Sequence, residues 1–129
     1  MVSVEKMRYK NQKMQTLRAD LEKYSKQIGV IESEVPQLAF GKKDLMVLRP
    51  RKRYPTKRSN LLGCCYGDIR LLFVNLEAHK DLWHLRDTLL HELLHYRFQH
   101  LSHKDMHKRM RLVRNGKTYP EKHIERPLR

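Results

Sequence analysis

Acidic residues are scarce in this chain: 14 Asp and Glu stand against 28 Lys and Arg, giving a formal net charge of +14. Such a field attracts polyanions, whether nucleic acid, anionic membrane or acidic protein, and says nothing about fold. Cysteine is scarcer still. The only two, Cys64 and Cys65, are adjacent, and a bridge between sequence neighbours closes a strained ring. A disulfide framework is therefore excluded, and a reducing compartment is expected. Long apolar runs are missing too, which excludes a membrane-spanning helix. The first residues, Met1-Val2-Ser3-Val4-Glu5-Lys6, have no apolar stretch of the kind a secretory signal needs. The expectation is a soluble, cytoplasmic protein. There are no internal repeats or low-complexity tracts. With 129 residues, of which 40% are hydrophobic and 33% charged, the chain reads as one globular domain around one modest core.

Glycine and proline, five of each, leave two long stretches untouched. In the first, from about Ser3 to Ile28 within the expected helical segment 1–30, Val4, Met7, Met14, Leu17, Leu21, Tyr24 and Ile28 recur at spacings of three, four and seven. That spacing predicts an amphipathic helix ending at Gly29. Its stripe reads as a core-packing face, with a homodimer as the alternative to a monomer. Residues 34–43, with Pro36 and Gly41, read as a short irregular connection.

A small antiparallel sheet of about three strands is expected over 44–77, from Leu45–Leu48, Leu61–Tyr66 and Ile69–Leu76. Gly67-Asp68 forms the turn of the last hairpin. Between the first two strands, Arg49 to Arg58 holds six basic residues in ten. Arg51, Lys52, Arg53, Lys57 and Arg58 are candidate phosphate contacts, with Tyr54 available to stack on a base. A second helix is expected over 79–100, and a further helix with a basic tail over 102–129. The fold class is α+β.

The candidate chemistry lies on the second helix. At 3.6 residues per turn, Leu82, Leu85, Leu89, Leu93 and Tyr96 form one stripe, widened by Trp83, Leu90 and Leu94. His84, Thr88, His91, His95 and Gln99 fall on the other side. His91 and His95 thus lie one turn apart within His91-Glu92-Leu93-Leu94-His95. Two imidazoles at i and i+4 can converge on one metal ion. Glu92, rotated by one position, reaches a metal-bound water rather than the metal, and suits a general base.

A catalytic zinc takes a third protein ligand and leaves one position open. On a continuous helix His103 would lie about 12 Å along the axis from His95, so the chain must turn first. Ser102, with Asp105 three residues on, resembles the capped start of a new helix and would aim His103 back at the metal. His107 is the next candidate, as ligand or as a group acting on the transition state; Glu121 and Glu125 follow.

Leu62-Gly63-Cys64-Cys65-Tyr66, the strand Ile69–Asn75, the pentapeptide and His103 together resemble the SprT-like and WLM-like branch of small zincin metallopeptidases. The resemblance covers roughly residues 61–119. It implies a Zn2+ cofactor on His91, His95 and His103, with Glu92 as catalytic base. It also implies an edge strand, here Leu62, Gly63, Cys64 and Cys65, that pairs with an extended protein or peptide substrate. Tyr66, Tyr119 and His123 are candidates for stabilising the oxyanion. Lys104 and Met106 stand where that family often has Gly and then an aromatic. Minimal gluzincins, with a downstream glutamate as third ligand, are the competing relatives.

The functional expectation is a zinc-dependent peptidase acting on proteins, including proteins held on DNA or RNA. The alternative is a basic nucleic-acid-binding protein whose metal site is structural or vestigial. In a latent form the N-terminal helix or the tail would cover the cleft, or Cys64 or Cys65 would cap the metal.

Overall fold

The structure is a computed structural model and describes residues 4–41, 62–79, 81–98 and 101–115. Helix α1 spans Val4–Gln27. Gly29 ends it with a φ of 80°, a left-handed conformation that a β-carbon disfavours. Val30 N–H donates to Ser25 O at 2.8 Å and Gly29 N–H to Lys26 O at 3.3 Å, closing the helix in a Schellman motif.

Three strands follow: β1 (Gln37–Ala39), β2 (Gly63–Tyr66) and β3 (Leu71–Val74). They form one sheet in the order β1-β3-β2, so among the described residues β2 is an edge strand. The β2–β3 pair is antiparallel, as the hairpin predicts, with Cys64 opposite Phe73 and Cys65 opposite Leu72. The β1–β3 pair is parallel, with Leu38 opposite Leu72. The sheet is therefore mixed rather than wholly antiparallel. Its first strand lies in the segment expected to be irregular, because three residues after Pro36 are too few to show a period of two. The expected strand Leu45–Leu48 lies outside the described residues, as do Leu61 and Arg49 to Arg58.

Two more helices complete the described chain. Helix α2 spans Leu82–Arg97, shorter than expected at both ends. Asp81 fixes its start by accepting from His84 N–H at 2.9 Å. Helix α3 spans His103–Arg114, and Ser102 caps it by accepting from Asp105 N–H at 3.2 Å. The capped restart after α2 is thus where the sequence places it. The tail from Gly116 on lies outside the described residues.

One core joins all three helices to one face of the sheet. Leu17, Leu21, Tyr24 and Ile28 of α1 meet Leu72 and Val74 of β3 and Leu85, Leu89, Leu90, Leu93 and Leu94 of α2. Met106, Met110 and Val113 of α3 close it. Ala39, Leu71 and Phe73 form a second buried group, with Cys64 and Tyr66 packed on it. The expected α1 stripe is only half buried: Val4 is 70% and Met7 55% exposed. With 24 residues against 16, α1 outruns the helix it packs on.

Two polar contacts set the packing. Arg86 of α2 forks onto Asp20 of α1, with Nε to Oδ2 at 2.7 Å and the terminal nitrogen to Oδ1 at 3.1 Å. The buried Tyr96 hydroxyl donates to Glu34 O at 2.6 Å and ties α2 to the turn before β1. Tyr96→Phe leaves that contact without its donor. We expect a loss of about 1–2 kcal/mol in urea unfolding, with the slope unchanged.

Candidate metal centre

The leucine face of α2 is fixed by burial, and its geometry then dictates where the histidines go. Leu89, Leu93 and Leu94 are buried in the core while His91, Glu92 and His95 are half-buried. The two imidazoles turn toward each other, with Nε2 to Nε2 at 3.0 Å and the rings edge to face at 80°. Two nitrogens on one tetrahedral zinc, each at about 2.05 Å, are about 3.3 Å apart. The pair is therefore near the spacing that an ion imposes. Burial lowers the pKa of both rings, and neighbouring histidines lower it further. Neutral imidazole is the form that binds metal. The spacing and neutral form of this pair suit two ligands of a metal ion.

Helix α3 brings a second histidine pair into range. The positive form of His91 is disfavoured by His95, His103 and His107, in that order after burial, and that of His95 by His103. His103 sits in the first turn of α3 and His107 one turn on, both exposed. Among the described residues, however, no three His, Cys, Asp or Glu side chains converge closely enough to hold an ion. The structure brings His91 and His95 together and sets His103 nearby, short of ligand distance. Glu121, His123, Glu125 and Tyr119 lie outside the described residues.

Glu92 is held by the edge strand. A β-carbon built at Gly63 would fall 2.7 Å from Thr88 Cγ2, 2.9 Å from Phe73 O and 3.2 Å from Glu92 Cγ. The missing side chain therefore lets β2 close on α2 itself, a contact the sequence does not reveal. Burial pushes the Glu92 carboxyl up to about 7. A carboxyl in that range is suited to taking and returning a proton near neutral pH.

The two cysteines diverge. Cys65 packs toward the helices and Cys64 toward the second buried group, so they are not bridged to each other. Burial, followed by the nearby Glu92, pushes the Cys65 thiol up to about 12, which disfavours the thiolate a metal would need. Tyr66 belongs to the sheet's other packing group, while Leu62 is 49% exposed at the strand's start.

His79 is a residue that the sequence pattern does not single out. It is buried, its Nδ1 2.6 Å from Asn75 O and its Nε2 2.7 Å from Thr88 Oγ1. A carbonyl only accepts, so Nδ1–H donates to Asn75 O and Nε2 accepts from the Thr88 hydroxyl. His79 thus anchors Thr88, one turn before Glu92, to the end of β3. A histidine in the strand-to-helix link was the only available signal.

The raised Glu92 pKa has a consequence for stability. In metal-stripped protein its contribution is complete below the ordinary value of 4.5 and is lost as pH rises through about 7. We expect Glu92→Gln to be more stable than wild type at pH 8, on the order of 2 kcal/mol, and equal to it at pH 4. Chemical denaturation in the presence of a chelator at the two pH values measures this.

No protein-family model, curated protein or solved structure matches this chain, so its function rests on the chemistry of His91, Glu92 and His95.

Proposed function

We propose that the chain is a zinc-dependent peptidase of the SprT-like or WLM-like zincin type. The observation that carries this reading is the facing Nε2 pair of His91 and His95 beside a carboxyl with a pKa near neutrality. His91 and His95 would hold the ion, and His103, in the first turn of α3, would complete the ligand set by closing the remaining distance. A bound zinc supplies Lewis acidity, which makes water a nucleophile near neutral pH.

The protein's own groups supply the rest. Glu92 takes the proton of the attacking water and returns it to the leaving amine. The cover of β2 keeps that carboxyl partly dry, so it is basic enough for the first transfer. Strand β2 offers its outer edge to an extended peptide, whose main chain would add to the sheet antiparallel to β2. Leu62 O accepts from Asn75 N–H, so by the alternation of the antiparallel pair Gly63 and Cys65 are the strand residues whose backbone groups face such a peptide. A glycine at 63 keeps the strand close enough for the substrate carbonyl to reach Glu92.

A structural metal site has no use for Glu92, and this separates the peptidase from a basic nucleic-acid-binding protein. We expect about one zinc per chain by elemental analysis, lost in His91→Ala and His95→Ala and reduced in His103→Ala. Glu92→Gln should keep its zinc and lose peptide hydrolysis by about a hundredfold or more. Zinc-free wild type after zinc-supplemented refolding, or undiminished hydrolysis in Glu92→Gln, would overturn the proposal.

The edge strand gives a separate test. Gly63→Val places methyl groups against Thr88 and Glu92. Hydrolysis should fall at least tenfold in this variant while zinc content holds.

A further inference from the structure

His79 is a buried titratable group that the hydrolytic steps leave unused. It lies in the link between β3 and α2, and its two ring nitrogens reach both walls of the gap that Gly63 occupies. On the strand side, Nδ1–H donates to Asn75 O at 2.6 Å. Asn75 N–H in turn donates at 2.9 Å to Leu62 O, the carbonyl directly before Gly63. Asn75 is itself fixed, because its side chain accepts from Glu77 N–H at 3.2 Å and caps the short turn Leu76–Ala78. On the helix side, Nε2 accepts from the Thr88 hydroxyl at 2.7 Å. Burial lowers the pKa of the ring, which keeps it neutral with a lone pair on Nε2.

The branching of threonine turns that bond into a position. Hydroxyl and methyl share one β-carbon, so a single χ1 places both. With the hydroxyl on His79, the methyl Cγ2 stands 2.7 Å from the point that a β-carbon on Gly63 would occupy. Glu92, one turn on, has its Cγ 3.2 Å from the same point. Deprived of His79, the hydroxyl can turn to the carbonyl of His84, four residues back, and carry the methyl away from Gly63.

We infer that His79 is a positioning residue: through Asn75 and the Thr88 methyl it sets the separation of β2 from Glu92, and so the alignment of a β2-bound peptide with the general base. The catalytic part rests on the peptidase reading, whereas the separation itself exists with or without catalysis. A buried histidine far from the ion thus controls how closely substrate and base meet.

Two measurements on the full chain test it. In nuclear magnetic resonance of the protein as purified, a nuclear Overhauser cross-peak should join the Thr88 methyl to the Gly63 α-protons. It should persist in His79→Gln, whose amide also donates and accepts, and vanish in His79→Leu. In peptide hydrolysis, His79→Leu should lower kcat about tenfold with KM and zinc content unchanged, and His79→Gln should recover most of the loss. Thr88→Ser keeps the hydroxyl and removes only the methyl, a milder change should His79→Leu fail to fold. It should also lose kcat about tenfold. Adding His79→Leu to it should then cost less than about twofold more, as for two residues acting on one contact.

A cross-peak that survives in His79→Leu would overturn the inference whatever the activity. So would wild-type kcat in Thr88→Ser, or an equal effect of His79→Leu with and without the Thr88 methyl, which would leave His79 a purely structural part. Wild type that binds zinc but hydrolyses no peptide would overturn the peptidase reading, and the cross-peak alone would then decide whether His79 sets the gap.

Discussion

The contact on which the rest of the structure depends is that of β2 with α2 at Gly63. There a backbone strand lies so close to a helix that no side chain fits between Thr88, Phe73 O and Glu92. The leucine face of α2 is driven into the core by burial, at about 25 cal/mol for each Å² of apolar surface removed from water. That force alone would orient the helix without fixing its height over the sheet. Gly63 and the His79–Thr88 hydrogen bond fix it, since both act on the turn just before Glu92. The histidine face is then determined without any further contact, because positions 91 and 95 must lie away from 89 and 93.

Much of this was legible in the sequence because it is local. The 3.6 period over residues 82–97 separates the leucines from His91 and His95; the structure buries Leu85, Leu89, Leu90, Leu93 and Leu94 and leaves the two histidines half-buried, whereas at the start of the stripe Leu82 is half-buried and Trp83 is exposed. Ser102 and Asp105 mark the start of α3 through a hydrogen bond that spans only three residues. What was not legible is non-local. Strand β1 exists because Leu71–Val74 lies alongside it in parallel, and three residues carry no period of their own. The apolar stripe of α1 predicts burial along its whole length. How far burial extends depends on where α2 begins, which the α1 sequence does not contain. Gly63 is visible as a glycine in a strand, yet its neighbours Thr88 and Glu92 are some 25 to 29 positions away.

The same contact shapes the electrostatics of the site. In a chain of net charge +14, long-range attraction would favour an ionised carboxyl. Screening limits such attraction to about 8–10 Å at ordinary salt, while desolvation acts at the carboxyl itself. The local effect wins at Glu92, whose pKa rises to about 7. It also wins at Cys65, pushed to about 12. On His91 and His95 burial and repulsion from neighbouring histidines act in the same direction, toward neutral rings. One cause thus leaves two neutral bases and one protonatable acid side by side.

That arrangement is costly without an ion. Two lone-pair-bearing nitrogens at 3.0 Å can share one proton, which requires one ring to donate and the other to accept. The hydrogen bond restrains both rings, although among the described residues neither is hydrogen-bonded into the core. A divalent cation at the same place would satisfy both nitrogens and also favour the ionised form of Glu92, removing at once the two penalties that burial creates. An exposed His-Glu-x-x-His helix would pay neither penalty and would have no such use for a metal. The partial burial imposed by Gly63 is therefore what distinguishes a helix suited to holding an ion from one that merely displays two histidines.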